Sequence, residues 1–220
     1  AGADRTIVGP YHSNGGIRMD GTNNSTVTSG QETWSCTSSF GCSPSQPNAD
    51  GVLGNGPNSD LWSFPSTPIN FTGLSVDLSA MQAKAQTGGG RYIGPSGAGK
   101  YGYRIRFNSA GTISVYMVDS TISHWGYTIE DDWQTERNVI NTQHLVGTYT
   151  IPKSCSVIFV EDKVWLEGVV NGKVTIAAAD VDTAGVERSM ILNNNITYAT
   201  ATSGLLAIAE EDVLVGLDVP

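Results

Sequence analysis

The chain has 220 residues, enough to bury a sizeable apolar core in one domain, or in a core carrying one substantial insertion. It is 39% hydrophobic but only 15% charged, and its net charge of −9 disfavours nucleic acid or an anionic membrane as a partner while tolerating cations and neutral glycans. No apolar run approaches the roughly 18 residues of a membrane span, and the Val, Ile and aromatic content argues against disorder.

The opening AGADRTIV, without an initiator Met or signal peptide, is expected of a processed product. Residues 5–30 alternate short apolar pieces (Ile7–Val8, Ile17–Met19, Val27) with turn signals such as Gly9-Pro10 and Asn14-Gly15-Gly16. They predict one or two opening coils of a solenoid. His12 sits beside Ser13 and Asn14 with no acid partner or nucleophile in view, which favours a hydrogen-bonded turn over a catalytic base.

Residues 31–70 are polar and Pro-rich. Cys36 and Cys42 flank a short stretch containing Gly41 that turns the chain back, so a local disulfide is expected, as in exported proteins. Cys155 begins an apolar run and is expected to be a buried free thiol. A loop this long is functional or packed through aromatic anchors, here Trp34, Trp62, Phe64 and Phe71. Buried, they cap the solenoid; exposed, they stack on sugars.

Residues 74–86 carry Leu74, Leu78, Met81 and Ala85 at helical spacing and end at Gly88-Gly89-Gly90, predicting one helix. Gly94–Lys100 imitates a phosphate-binding loop, but Tyr101 stands where Ser or Thr would hold magnesium, and YGYRIRF continues as a strand. Nucleotide binding is not expected. Tyr101–Phe107 and Thr112–Val118 predict a hairpin over 101–118. In residues 119–150, Glu130, Asp131 and Asp132 are candidates for calcium, possible as a cofactor only through oxygen ligands; they lack the spacing of a calcium loop, which favours a solvated turn.

From Ile151 onward the pattern repeats. Val157–Val160, Val164–Leu166, Val174–Ile176, Ile191–Leu192, Ile196–Tyr198, Leu205–Ile208 and Val213–Val215 are short, β-branched and separated by Gly, Asn, Asp and Glu. Val157, Val174, Ile191 and Ile208 recur at a 17-residue interval, which predicts stacked coils with these four in one inward row. The expected fold is mainly β, a right-handed parallel β-helix (solenoid) forming a single domain over 1–220. Within it, 5–30 give opening coils, 31–150 an insertion with the helix and hairpin, and 151–216 the main coils.

GPYHSNGGIRMDG (residues 9–21), VWLEGVVNGKVTIAAAD (164–180), NNNITYA (193–199) and LLAIAEEDVLV (205–215), with LWSFP (61–65), resemble a family of bacterial exported proteins encoded with type IV pilus assembly components, similar to minor-pilin-like proteins. The resemblance implies a β-helical ectodomain at the cell surface, with other pilus or surface subunits as partners. It carries no catalytic or cofactor-binding residues. The prepilin-like helix typical of members is not part of this sequence.

Three functions are therefore weighed. The favoured one is a non-enzymatic extracellular structural or adhesive protein, associated with a pilus or the cell surface. The alternatives are a β-helix polysaccharide lyase or hydrolase, and a carbohydrate-binding module stacking neutral glycans on Trp34, Trp62, Trp125 and Trp133. No residue pair in the sequence announces catalysis.

Overall fold

A computed structural model describes residues 2–70, 74–128, 132–183 and 188–216. The chain is mainly β, with one α-helix among the described residues, and divides into two compact units, Ala1–Phe71 and Thr72–Pro220.

The first unit is made of very short strands: β1 (Thr6–Ile7), β2 (Tyr11–Ser13), β3 (Ile17–Arg18), β4 (Thr22–Asn23), β5 (Val27–Ser29), β6 (Thr33–Cys36), β7 (Gln46–Asp50), β8 (Val52–Leu53) and β9 (Trp62–Ser63). β1 pairs with β4, β2 with β5, β5 with β9 and β3 with β8, all parallel. β6 and β7 form an antiparallel hairpin. Ile17, Met19, Val27 and Val52 fill the interior, with Trp62 and Phe64 packed against them. The turns between such short strands leave backbone groups to be satisfied by side chains. Buried Asn23 donates to the Gly9 carbonyl (3.0 Å) and accepts from the Ser25 N–H (2.6 Å), and buried Ser29 donates to the Gly15 carbonyl (2.9 Å). Cys36 and Cys42 form a disulfide and are both buried. Trp34 lies flat against Gly16, where an added Cβ would sit 2.0 Å from the indole, so any larger residue there displaces the ring.

The second unit contains α1 (Leu74–Gln86), β10 (Arg91–Ile93), β11 (Tyr103–Asn108), β12 (Thr112–Thr128), β13 (Asp132–Thr150), β14 (Val157–Val160), β15 (Val164–Val170), β16 (Lys173–Ala178), β17 (Met190–Tyr198), β18 (Gly204–Ala209) and β19 (Val213–Val215). The four-stranded sheet has the order β10-β14-β16-β18 and is parallel throughout. The six-stranded sheet has the order β13-β12-β11-β15-β17-β19; β11, β15, β17 and β19 are parallel, and β12 and β13 join antiparallel. From β14 onward, successive strands alternate between the two sheets. Ile105, Phe107, Val164, Leu166 and Met190 from one sheet and Ile158, Val160, Ile176 and Ala178 from the other share one buried core. Leu78 and Ala85 of α1 cover the outer face of the four-stranded sheet over Phe159, Ala177 and Ala179.

The 17-residue row does not form. Val157 pairs with Thr175, Val174 with Leu205, and Ile191 with Trp165 and Leu214. Val174 faces the shared core while Val157 and Ile208 face α1's side, because a slip of one residue reverses the face. The reason lies in the connections, which vary in length between parallel strands and so break any constant interval. Cys155 is a free thiol, but half-buried rather than buried.

Ile176 is fully buried at the centre of the four-stranded sheet. Ile176→Ala is expected to cost about 2–5 kcal/mol in chemical unfolding, and an unchanged midpoint would contradict this packing.

Candidate functional site

Because the strands are parallel, the connections running from the four-stranded to the six-stranded sheet lie one above another. They are 94–102, Glu161–Lys163, 179–189 and Glu210–Asp212. Backbone bonds continue from the ladders through this stack: Glu161 N–H to the Ile93 carbonyl (2.9 Å), Ala179 to Val160 (3.1 Å), Glu210 to Ala178 (3.0 Å) and Met190 to Asp212 (2.8 Å). The last three of these connections bring acidic side chains to the same edge, and Glu161, Asp162 and Asp180 are each 7% exposed.

Stacked, buried carboxylates repel one another and lose hydration unless each is compensated. Here the compensation is local. Asp162 accepts from the Ser96 N–H (2.9 Å) and hydroxyl (2.6 Å) on one oxygen and from the Lys163 N–H (2.8 Å) on the other. The Arg188 guanidinium spans two layers, with Nη1 3.6 Å from Asp162 and Nη2 3.1 Å from Asp180. Asp180 also accepts from the Thr183 N–H, and Glu210 accepts from the Asp180 N–H at 2.8 Å. Glu211 receives the Ser189 hydroxyl at 2.5 Å, Asp182 the Gln82 amide of α1 at 2.7 Å, and Glu161 the Tyr92 hydroxyl. The hydrogen bond to Glu161, reinforced by burial, pushes the Tyr92 phenol up to about 12. Burial pushes the Lys163 ammonium below its ordinary range against the pull of Glu211, Glu136 and Asp162; its Nζ lies 3.3 Å from Asn138 Oδ1. These carboxylates accept from donors inside the fold, which suits them to holding the parallel strands in register.

The stretch resembling a phosphate-binding loop is part of this stack. Ser96 binds Asp162, and Lys100 Nζ lies 2.5 Å from Asp119, whose carboxyl is held below the usual range by His144 Nδ1 at 2.7 Å and by Lys100. Among the described residues no group of three or more His, Cys, Asp or Glu side chains is placed to hold a metal ion. The calcium candidates Glu130 and Asp131 lie outside the described residues, as does the side chain of Asp132.

The aromatic candidates separate. Trp34 is half-buried, donates to the Asp50 carbonyl (2.8 Å) and meets Phe40 edge-on; Trp62 is half-buried against the first unit's core. Trp125 stands 68% exposed on β12, and the side chain of Trp133, like Phe71, lies outside the described residues. β12 and β13 pair over almost their whole lengths of 17 and 19 residues, but β11 supports β12 only as far as Met117. Past that point the ribbon folds back on one side, where Ile140 packs against Trp165 and Ile191 and the Asn138 carbonyl accepts the Trp165 indole N–H at 2.6 Å. It also carries the exposed side chains of Ile122 and Trp125.

In the first unit, a polar cleft of about 200 Å³ is lined by Arg18, Asp20, Ser43, Gln46 and Asn55 among others. Burial alone would push Asp20 up, but the Asn55 N–H (3.1 Å) and Arg18 (2.7 Å) hold it below the usual carboxylate range. His12 bridges the Thr28 hydroxyl (2.8 Å) and Asn14 Oδ1 (3.0 Å), the turn-stabilising role its neighbours suggest.

Comparisons with protein-family models, with curated proteins and with solved structures found no match.

The acidic stack is absent from the sequence reading, where Glu161-Asp162, Asp180 and Glu210-Glu211-Asp212 serve only as separators. The available signal was their recurrence immediately after successive apolar runs. Because the Tyr92 proton is held more tightly in the folded chain, its contribution is complete below pH 10 and is lost as pH rises through about 12. Tyr92→Phe is expected to be less stable than the wild type at neutral pH, with the gap narrowing over that alkaline range in urea titrations. A constant gap would contradict the Tyr92–Glu161 bond.

Proposed function

We propose that this chain is a non-enzymatic extracellular structural or adhesive protein, a cell-surface or pilus-associated ectodomain built as a right-handed parallel β-helix. The observation that carries the adhesive part is the β12–β13 ribbon, which runs past its β11 support and presents Ile122 and Trp125 to solvent. An exposed indole on a two-stranded arm gives a large contact area at little entropic cost. The alternation of parallel strands between two sheets supports the β-helix, since such strands need crossover connections. The Cys36–Cys42 disulfide supports an oxidising compartment. The acidic stack supports a structural role for groups that a lyase would need free for metal and substrate.

The exposure of Trp125 also favours a second reading, in which the ribbon binds neutral glycans by stacking on the indole. The net charge of −9 fits a neutral ligand better than an acidic one.

Cells that make the chain, when sheared and fractionated, are expected to yield it in the surface or filament fraction. Confinement to the cell interior would overturn the reading. Purified Trp125→Ala is expected to bind such cells, or an array of neutral glycans, about tenfold or more weakly, with an unchanged thermal midpoint. Equal binding would remove the ribbon from the contact.

A further inference from the structure

Among the described residues, β18 and β19 are the last strands over the core of the second unit. Across the six-stranded sheet, Val213 stands in register with Met190 and Val215 with Leu192, on the face that looks into the core. Met190 is fully buried, whereas Val213 is 52% and Val215 72% exposed. In the four-stranded sheet, Leu205, Ala207 and Ala209 also pack into the core, and Leu206 on the opposite face is 54% exposed. Among the described residues no strand pairs with the outer edge of β18 or β19. Among the described residues, the last strands of both sheets therefore lie at one end, with apolar side chains and backbone groups exposed together.

This edge lacks the features that protect exposed strands. Gly204–Ala209 and Val213–Val215 contain no charge and no proline. The Gly204 and Glu210 N–H groups donate inward, to Gly172 and Ala178 carbonyls. By the alternation of a β-strand, the N–H and C=O groups of Leu205, Ala207 and Ala209 point outward.

We propose that the open β18–β19 edge is the docking surface for a second copy of this chain, which pairs antiparallel with it about a twofold axis at Ala207. In that register Ala207 exchanges both hydrogen bonds with its own copy. Leu205 stands opposite Ala209 and extends the two cores into one, and Leu206 stands opposite Ile208 on the outer face. β19 likewise meets β19, closing the gap over Val213 and Val215. An isologous contact of this kind is self-complementary and closes after two copies.

Charge selects the axis. β18 is entered through Ala199–Ser203, which has no charged residue, and left through Glu210–Asp212, which has three. Pairing β18 with β18 antiparallel sets each acidic turn beside the partner's neutral Thr/Ser turn. The other twofold arrangement, β18 on β19, sets acidic turn on acidic turn and is opposed by like-charge repulsion. This inference does not depend on what the β12–β13 ribbon contacts.

The test is sedimentation equilibrium of the full chain, with two variants. The wild type is expected as a dimer. Ala207→Pro removes an outward donor without touching the β16 ladder, and Leu206→Lys/Val213→Lys charges the exposed edge; both are expected to lose the dimer while keeping the wild-type circular dichroism. Two variants are used so that one reports if the other misfolds. A wild type that stays monomeric at every soluble concentration overturns the proposal. Open-ended filaments overturn the twofold axis, and a folded variant that remains dimeric overturns the placement.

Discussion

Parallel strands cannot be joined by a tight hairpin, and this constraint shapes the second unit. Each strand from β14 onward must leave its sheet, cross, and return one layer further on. The crossings carry as much specification as the strands. Apolar faces alone would tolerate several pairings of short Val/Ile/Leu segments, whereas Arg188 reaching from Asp162 to Asp180 fits only one order of layers. The stacked carboxylates and their donors therefore act as a register device, in which a slipped layer would leave buried charge without a partner.

The same arrangement explains where function is free to reside. Interior positions are taken by packing and the acidic edge by internal hydrogen bonds. What remains for contact with other molecules is the ribbon that extends from the six-stranded sheet and the terminal edge at β18–β19. The ribbon lies outside the parallel strands, and the edge is formed by the last strand of each sheet. Insertions at the margin of a stack are where a repetitive framework can vary without disturbing its core.

Much of the strand content was legible. Each of the seven apolar runs after Ile151 lies within a strand, with Ile191–Leu192 and Ile196–Tyr198 joined in β17. The helix at Leu74–Gln86 was legible because its spacing and terminal glycines agree. The register was not. The connection 179–189 is far longer than Glu161–Lys163, and a constant interval sought in the sequence cannot follow turns of unequal length. The hairpin was legible at its turn, where Gly111 N–H bonds the Asn108 carbonyl, but not in its length, because polar stretches of β12 and β13 sustain each other without a third strand. The acidic stack was hidden for a related reason. Asp162 is distant in sequence from Asp180 and Arg188 and becomes their neighbour only when the layers are aligned.

The central claim, that unequal crossings align a parallel stack in this register, is tested most directly by through-space nuclear magnetic resonance contacts in the intact chain. Contacts between Ile158 and Ile176, Trp165 and Ile191, and Ile191 and Leu214 are the result this account requires. Contacts linking Val157, Val174, Ile191 and Ile208 as one row, or an antiparallel pattern between β14 and β16, would contradict it.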